Sequence, residues 1–460
     1  MTLAPLIGYA GLLAALALLI WLALRGINIV FAALLSATVV IVSNGLPVAS
    51  GLGDYFAFGP LGAFSFAGRF FLLFAAGAMF GRVMGDSHAA SSIALAMVRR
   101  LGPSRALWIT VLATALLTYG GVVVFVVIFA MYPLGVKLLQ QADIPKRLFC
   151  AALALGSGTF TLTALPGTPS IHNVISSAAL GTDLFAGGWL GLLGSLIMFG
   201  LGMWYLEAQR HRAIARGEGF EPGPMDRHIA VDPGESGYPH WVLALLPPLL
   251  VLGAILLPRV LTGLVGEGTG PGYQLLAFAS SQPVIWPSLA LFGGTLVAVL
   301  LFREVRHRAL RSIGEGTQDS ILPLINTAAV IGFGGVVTYT EGFQQFAQLM
   351  LDSGLPPLLS VFTSISMISA ITGSASGGLQ IFMSTMADSY LAMGIEPTTL
   401  HRIATMAAGG FDSLPHCGAV VAMLTITGLT HRDAYRDIGV VTVAIPVVAT
   451  LVCMAVASLI

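Results

Sequence analysis

A polar, proline-containing stretch inside a long apolar segment constrains this chain more than any other feature. Residues 163–173, with the sequence TALPGTPSIHN, lie within an apolar segment that runs from about residue 146 to residue 180. Pro166 and Pro169 have no N–H group, so a helix cannot continue its hydrogen-bond ladder through them. We expect the helix to break here and to restart with Thr168 as its N-cap and Pro169 as its first residue.

The composition indicates what surrounds this break. Of the 460 residues, 56% are hydrophobic and 9% are charged, whereas about 25% of the residues in soluble domains are charged. We therefore expect an all-α polytopic membrane protein. Inside a bilayer, non-helical backbone is tolerated only where it is buried in protein or lines a wet cavity. Residues 163–173, called the first interruption below, therefore mark a candidate site.

Charge and cysteine content exclude several classes of function. The formal net charge is zero, so no basic surface predicts nucleic-acid binding. The cysteines Cys150, Cys417 and Cys453 lie in apolar segments and show neither CxxC nor Cys/His metal spacing. We expect no disulfide, no metal site and no cofactor. The apolar run at residues 5–24 is predicted to be a first span rather than a cleaved signal.

The apolar segments fall into two sets of the same order. A helix needs about 20 apolar residues to cross a bilayer. In residues 1–208 we predict spans within 5–86, a re-entrant hairpin at 106–136, a broken helix at 146–180 and a span at 184–207. After a cytoplasmic linker at 209–240, residues 241–460 repeat this order, with spans within 241–340, a hairpin at 358–393, a broken helix at 399–430 and a span at 434–460.

The distribution of charge sets the expected orientation. Both flanks of residues 106–136 are basic and belong in the cytoplasm, whereas acidic residues flank 358–393. The hairpins should turn at residues 118–121 (TYGG, the first turn) and 372–378 (TGSASGG, the second turn). With both termini in the periplasm, all of the 21 Lys and Arg residues except Arg69, Arg259 and Arg402 fall near the cytoplasmic face. Each half then has five spans and one hairpin, which makes the halves inverted repeats.

Residues 409–419 (GGFDSLPHCGA), called the second interruption, have the same features as the first one. Four half-helices should therefore begin near the bilayer midplane, with N-terminal N–H groups and dipoles that attract anions. We predict a small carboxylate as the ligand, held by N–H groups and hydroxyls because these segments contain no Lys or Arg. The candidate substrate-binding residues are Thr118, Gly120, Gly121, Thr168, Ser170, His172, Asn173, Ser374, Ser376, Gly377 and His416.

Asp412 is the only acidic residue in these four segments. A carboxylate at membrane depth costs roughly 3 kcal/mol, which makes Asp412 a functional candidate. It could take up a proton or bind a sodium ion, and His172 and His416 could relay protons or donate to the substrate. The structural alternatives are a helix cap for Asp412, ordinary hydrogen bonds for both histidines, close packing at the Gly-rich turns, and turn closure by Thr118 and Tyr119.

At these residues the chain resembles the gluconate permease family of the ion-transporter superfamily. The matching elements are ALPGTP at 164–169 with IHN at 171–173, GSASGG at 373–378, and GFDSLPH at 410–416 followed by Gly418 and Ala419. The Pro-Pro-His-Pro and Ser-His-Val-Asn-Asp-type stretches of gluconate permeases proper are absent. The sequence looks closer to the branch of D-β-hydroxybutyrate permeases.

The resemblance implies a proton-coupled uptake carrier for small hydroxy-carboxylates in a bacterial inner membrane. It also implies an elevator-type fold, in which hairpins and broken helices move against a dimeric scaffold. The superfamily's sodium-coupled dicarboxylate carriers have Ser-Asn-Thr motifs at the hairpin tips, and their absence here favours protons, while sodium coupling and a passive anion channel stay open. We do not expect an enzyme, because Pro415 would disrupt a catalytic pair formed by Asp412 and His416.

Overall fold

The computed structural model of this protein describes residues 3–122, 124–223, 238–265, 270–415 and 417–459. All regular secondary structure in these ranges is helical, which confirms the all-α class expected from composition. Six helical segments there are long and apolar enough to cross a membrane, and a helix pair bent by 107° adds a seventh. The chain is therefore a polytopic membrane protein.

The helices of the first half run from residue 3 to residue 215. They are α1 (Leu3–Leu24), α2 (Ile29–Ser43), α3 (Ala63–Asp86), α4 (Ala89–Leu101), α5 (Ala106–Tyr119), α6 (Val124–Ala142), α7 (Lys146–Gly158), α8 (Phe160–Thr163), α9 (Ile171–Leu180) and α10 (Gly188–Ala215). A π-helical segment, Gly51–Phe58, precedes α3, and short segments lie at Val48–Ser50 and Pro103–Arg105.

The helices of the second half begin at residue 241. They are α11 (Trp241–Val265), α12 (Pro271–Ser281), α13 (Ile285–Leu301), α14 (Ala309–Thr338), α15 (Glu341–Leu351), α16 (Pro357–Thr372), α17 (Ala375–Thr385), α18 (Pro397–Phe411), α19 (Gly418–Thr427), α20 (His431–Gly439) and α21 (Ile445–Ala457). A π-helical segment, Val440–Ala444, joins α20 to α21, and short helices lie at Arg303–Arg306 and Ala387–Ala392.

Several helices are too short to cross a bilayer. α9 and α19 have ten residues each and α17 has eleven, which at 1.5 Å per residue is about 15 Å, half of a hydrocarbon core of about 30 Å. α8 and α9 are separated by a break, as are α18 and α19, whereas α5 packs against α6 and α16 against α17. The helices therefore stop where the sequence predicts interruptions and turns.

Three helices lie outside the predicted spans, namely α4, α15 and α12, the last of which falls between the spans that the sequence predicts at 241–261 and 285–302. These helices are shorter than the roughly 20 apolar residues of a membrane span and carry polar faces, so hydropathy alone does not predict them. The bent pair is α12 with α13. α10 also continues to Ala215, so the predicted linker begins later than residue 209, and its residues 224–237 lie outside the described ranges.

The helices pack in two groups, each drawn from both halves of the chain. In the first helix group, α14 packs against α2 and α3, α3 against α13, and α13 against α11. In the second helix group, α5 packs against α7, α16 against α17 and α18, α9 against α17 and α18, and α10 against α21. α4 contacts members of both groups, and α14 touches α17 across the boundary.

A cluster of charged residues stabilises each group. In the first, Arg82 of α3 pairs with Asp86, with Glu315 and, at 3.1 Å, with Asp319. The sequence predicts this span at 319–340, and α14 begins ten residues earlier, at Ala309, where its charged first turns have these partners.

The second cluster joins α7 to α20 and to the segment after α10. Arg147 pairs with Asp437 and, at 2.7 Å, with Glu218, and the Tyr205 hydroxyl donates to Asp437 at 2.7 Å. The hydrogen bond from Arg147 lowers the pKa of the Glu218 carboxyl below its ordinary value. Only 4% of the Asp437 side chain is exposed, compared with 48% for Asp319.

This contrast predicts unequal effects of two similar substitutions. Asp437→Ala leaves Arg147 and Tyr205 without a buried partner and should lower the free energy of unfolding by about 3 kcal/mol. Asp319→Ala removes an exposed partner and should cost less than about 1 kcal/mol. Thermal unfolding of the purified protein in detergent measures the difference, and equal falls in midpoint would contradict the role given to Asp437.

Candidate functional site

The first interruption is a loop between α8 and α9 that neighbouring side chains hold in place. The N-cap of α9 is Ser170, whose Oγ accepts a hydrogen bond from the Asn173 N–H at 3.3 Å and donates to the Leu162 carbonyl at 2.7 Å. The expectation that Thr168 caps the helix and Pro169 begins it is therefore wrong. Ser170 takes this position because its hydroxyl reaches both groups, whereas Thr168 Oγ1 has no partner among the described residues.

A buried arginine links the first interruption to the segment between α9 and α10. Arg402 of α18 donates to the carbonyls of Ala164 at 3.0 Å, Leu184 at 3.3 Å and Ala186 at 2.8 Å. Its side chain is fully buried. Sequence reasoning placed Arg402 near the periplasmic face without a role. An arginine within an apolar helix is the signal that could have marked it, because such residues are rare in membranes.

The neighbouring residue, His401, forms a second link to the first interruption. Its Nε2 lies 2.9 Å from Asn173 Oδ1, and its Nδ1 lies 2.8 Å from Thr182 Oγ1. Asn173 Nδ2 also donates to the carbonyls of Thr168 and Leu184. The polar atoms of Asn173 are thus used within the protein. His401 is fully buried, although it lies outside the motifs that the sequence analysis marks.

The second turn is shorter than predicted. Only residues 373–374 separate α16 from α17. Gly373 has φ +61°, in the left-handed region that glycine adopts readily. Ser374 is the N-cap of α17 and accepts a hydrogen bond from the Gly377 N–H at 3.2 Å. Ser376 and Gly377 therefore belong to the first turn of α17 rather than to a loop.

Two of the turn glycines allow close packing. A Cβ atom on Gly378 would lie 2.6 Å from the Cα of Ser369 in α16, and one on Gly120 would lie 2.8 Å from Cβ of Pro248 in α11. Gly121, by contrast, has φ +97° and forms the first turn. The packing alternative therefore accounts for Gly120 and Gly378, and backbone conformation accounts for Gly121.

The second interruption resembles the first in how its carbonyls are satisfied. α18 ends at Phe411 and α19 begins at Gly418. The Tyr435 hydroxyl donates to the Ser413 carbonyl at 3.1 Å, and a ring nitrogen of His431 lies 2.8 Å from the Pro415 carbonyl. In the first interruption, the Tyr119 hydroxyl donates to the Pro166 carbonyl at 2.9 Å in the same way. His416 lies outside the described residues.

Asp412 follows the last residue of α18 and does not cap α19, whose N-cap is Cys417. The cap alternative is therefore wrong, since Asp412 sits at a helix C-terminus, where the dipole disfavours a negative charge. Its Oδ1 accepts a hydrogen bond from Ser413 Oγ at 2.9 Å. The carboxylate also interacts with the Ala375 N–H at the start of α17, and this helix terminus favours a negative charge.

The interruptions and turns surround one cavity of about 500 Å³ between the two helix groups. The candidate residues that line it are Thr118, Gly121, Ser170, His172, Ser374, Ser376 and Asp412. Gly120, Thr168, Asn173 and Gly377 do not line it. The opposite wall comes from Leu19 of α1 and from the first helix group, chiefly Leu73, Phe74, Leu291, Asn326, Thr327 and Val330. The sequence motifs do not include this wall.

The cavity has unused hydrogen-bonding groups and little charge. Thr118 Oγ1, His172 Nδ1 and Asn326 Oδ1 are buried without a partner among the described residues. Leaving such an atom unpaired costs about 1–3 kcal/mol, so these atoms favour a polar ligand or water. Among the described residues that line the cavity, Asp412 is the only carboxylate, and there is no Lys or Arg. The site therefore offers dipoles and neutral donors rather than a fixed positive charge.

The fold has a counterpart among solved structures. The YdaH transporter of Alcanivorax borkumensis matches with a TM-score of 0.54, and the match covers 85% of each chain. The two sequences are 14% identical, so the likeness concerns the fold alone.

Sequence comparisons identify the family. The model of the GntP family permeases matches residues 7–460. The uncharacterized transporter YxjC of Bacillus subtilis is 37% identical over 454 residues, which cover 94% of this chain and 95% of that protein. The high-affinity gluconate transporter of Escherichia coli is 24% identical over 297 residues, which cover 64% of this chain and 60% of that protein.

These matches agree with the expectation drawn from the sequence motifs. The resemblance to the gluconate permease family is confirmed, and so is the prediction that the protein is not an enzyme, because the matching family and relatives are permeases and transporters. The protein is a multi-pass membrane transporter, and the chain belongs to the GntP family of permeases.

Proposed function

We propose that this protein takes up a small hydroxy-carboxylate by proton symport across a bacterial inner membrane, with an elevator-type motion. The observation that carries the proposal is the meeting of α9, α17, α19 and the first turn at one cavity, whose described lining residues include one carboxylate and neither Lys nor Arg. D-3-hydroxybutyrate is a candidate substrate because of the motif resemblance. Gluconate is another, because a relative is a gluconate transporter.

The helix termini favour an anionic ligand. Each helix N-terminus carries roughly half a positive charge and leaves its first N–H groups without helical partners. Ser170 and Ser374 each occupy one of these N–H groups, and Cys417 makes no side-chain cap bond. The remaining N–H groups can bind a carboxylate in several moderate contacts. Such binding allows release more readily than a buried ion pair, which is strongly destabilised when one partner leaves.

The charge balance of the cavity calls for a coupling cation. A bound carboxylate and an ionised Asp412 would repel each other, because two carboxylates that share a site cannot both ionise easily. A proton on Asp412 removes the repulsion and ties its uptake to that of the substrate. His172, which lines the cavity with an unpaired Nδ1, is the second candidate for proton transfer or for donation to the substrate. A sodium ion could neutralise Asp412 in place of the proton. Transport driven by a proton gradient or by a sodium gradient alone distinguishes the two coupling ions.

The position of the cavity supports an elevator motion. One wall belongs to the first helix group and the other to the second, so sliding of the second group would carry the bound substrate. The cavity extends to residues 26–28, which connect α1 to α2. In the predicted topology, with inverted repeats and periplasmic termini, this connection is cytoplasmic, so we assign the structure to an inward-facing state. A homodimer is expected from the superfamily resemblance.

Substitution of Asp412 should uncouple transport. In proteoliposomes, an inward-directed proton gradient should drive accumulation of D-3-hydroxybutyrate or gluconate by the wild-type protein. The amide introduced by Asp412→Asn is neutral at every pH, like the protonated carboxyl, so the proton gradient should no longer drive accumulation. Exchange of internal for external substrate should persist. Uptake of radiolabelled substrate with and without each gradient measures both.

The matched control for this experiment is Asp319→Asn, which alters a carboxylate outside the cavity and should leave coupling unchanged. Accumulation driven by a sodium gradient alone would replace the proton by sodium in the proposal. Gradient-driven accumulation by Asp412→Asn would remove Asp412 from the coupling mechanism, and a non-saturating flux would indicate a passive channel.

Cys417 provides a direct test of where the substrate binds. It lines the cavity, whereas Cys150 and Cys453 do not. In a variant with Cys150→Ala and Cys453→Ala, a small methanethiosulfonate should modify Cys417. Substrate at ten times its Kd should slow this reaction about tenfold, because it leaves about a tenth of the sites empty. An unchanged rate at substrate concentrations that saturate transport would place the binding site elsewhere.

A further inference from the structure

We propose that Asn326 of α14 is a specificity-determining residue that accepts a hydrogen bond from the hydroxyl group of the substrate. This inference rests on the proposed function, because it assigns a partner to the hydroxyl of the hydroxy-carboxylate. Asn326 belongs to the first helix group and lies outside all four interruptions and turns, so the sequence motifs do not include it.

The packing of α14 against α17 places Asn326 in front of a helix N-terminus. A Cβ atom on Gly377 would lie 3.3 Å from Cγ1 of Val330, and one on Gly334 would lie 2.1 Å from Cδ1 of Ile381. Residues 330 and 334 of α14 thus lie against residues 377 and 381 of α17, in the same order along both helices. The two helices therefore run parallel. Asn326 lies one helical turn before Val330 on α14. Four residues before Gly377 is residue 373, which lies just before α17 begins, so Asn326 is level with the start of α17.

The Oδ1 atom of Asn326 suits a hydroxyl better than a carboxylate. Asn326 lines the cavity, and its Oδ1 is buried without a partner among the described residues. An amide oxygen is only an acceptor, so it repels a carboxylate oxygen and binds an O–H donor. The N–H groups of the helix termini are donors and suit the carboxylate end. The site therefore has a donor region for the carboxylate and an acceptor on the opposite wall.

The rest of the α14 face that lines the cavity is apolar apart from Thr327. Leu322, Pro323 and Val330, the lining residues of α14 on either side of Asn326 and Thr327, have apolar side chains. A substrate without a hydroxyl would leave the amide oxygen unpaired. Sites built to hydrogen-bond a substrate hydroxyl discriminate strongly against the analogue that lacks it.

A comparison of two matched ligands on two proteins tests this assignment. D-3-hydroxybutyrate and butyrate differ by one hydroxyl, and their Kd values can be measured by calorimetry on the purified full-length protein. The wild-type protein should prefer D-3-hydroxybutyrate. Asn326→Leu, which keeps a similar volume without polar atoms, should weaken D-3-hydroxybutyrate binding about tenfold and change butyrate binding less than twofold. Loss of the preference between the two acids is the expected signature.

The control is Thr317→Val on the same helix, because the Thr317 hydroxyl donates to the Ile313 carbonyl and does not line the cavity. This variant should keep the wild-type preference. Equal weakening of both acids by Asn326→Leu, or an unchanged preference, would overturn the assignment while leaving the proposed function in place. If Asn326→Leu does not fold, Asn326→Ala is measured in the same way. A wild-type protein that binds neither these acids nor gluconate would overturn the proposed function itself.

Discussion

The structure depends on how side chains satisfy the backbone carbonyls of two broken helices. Proline interrupts the hydrogen-bond ladder in both interruptions, and unpaired carbonyls at membrane depth are costly. In the first interruption, Ser170, Tyr119 and Arg402 donate to these carbonyls from three different elements. In the second, Tyr435 and His431 do so from α20. The breaks are therefore stable parts of the fold, because side chains of neighbouring helices replace the missing N–H donors.

This arrangement separates the two kinds of backbone group. Side-chain donors use the carbonyls, whereas the starts of α9, α17 and α19, where the first N–H groups have no helical partner, lie beside the cavity. The arginine that touches the first interruption is committed to carbonyls and does not line the cavity. Helix N-termini therefore supply partial positive charge to the cavity, and Asp412 is the only carboxylate among its described lining residues. A neutralised Asp412 and a bound anion are mutually compatible in such a site, and two free negative charges are not.

The two helix groups are internally tight, and the cavity lies where they meet. Within the first group, Gly332 and Gly335 of α14 allow the backbone of the π-helical segment to approach, since Cβ atoms there would lie 2.5 Å and 2.7 Å from carbonyl oxygens. Within the second, the Arg147 cluster joins α7, α10 and α20. The cavity between them takes polar atoms from both sides, from His172 and Thr118 on one wall and from Asn326 on the other. The affinity for a ligand that contacts both walls therefore depends on the relative position of the two helix groups.

The sequence by itself determined the membrane class, the places where helices break and the side chains most able to form a site. These features are local: proline removes an N–H group wherever it stands, glycine allows positive φ, and a carboxylate in an apolar segment is costly in any fold. The sequence does not determine which hydroxyl reaches which backbone group. The N-cap of α9, for example, is Ser170 and not the predicted Thr168.

Only the tertiary structure decided which residues satisfy the breaks and which wall faces the site. Arg402 and Ala164 are 238 positions apart, and His401 and Asn173 are 228 apart, so no local pattern could pair them. Asn326 lies on α14, which stays helical through Pro323, and the parallel packing of α14 on α17 brings it to the cavity. The physical reason is that long-range partners are chosen by the fit of whole helices, whereas helix breaks are set by the chemistry of single residues.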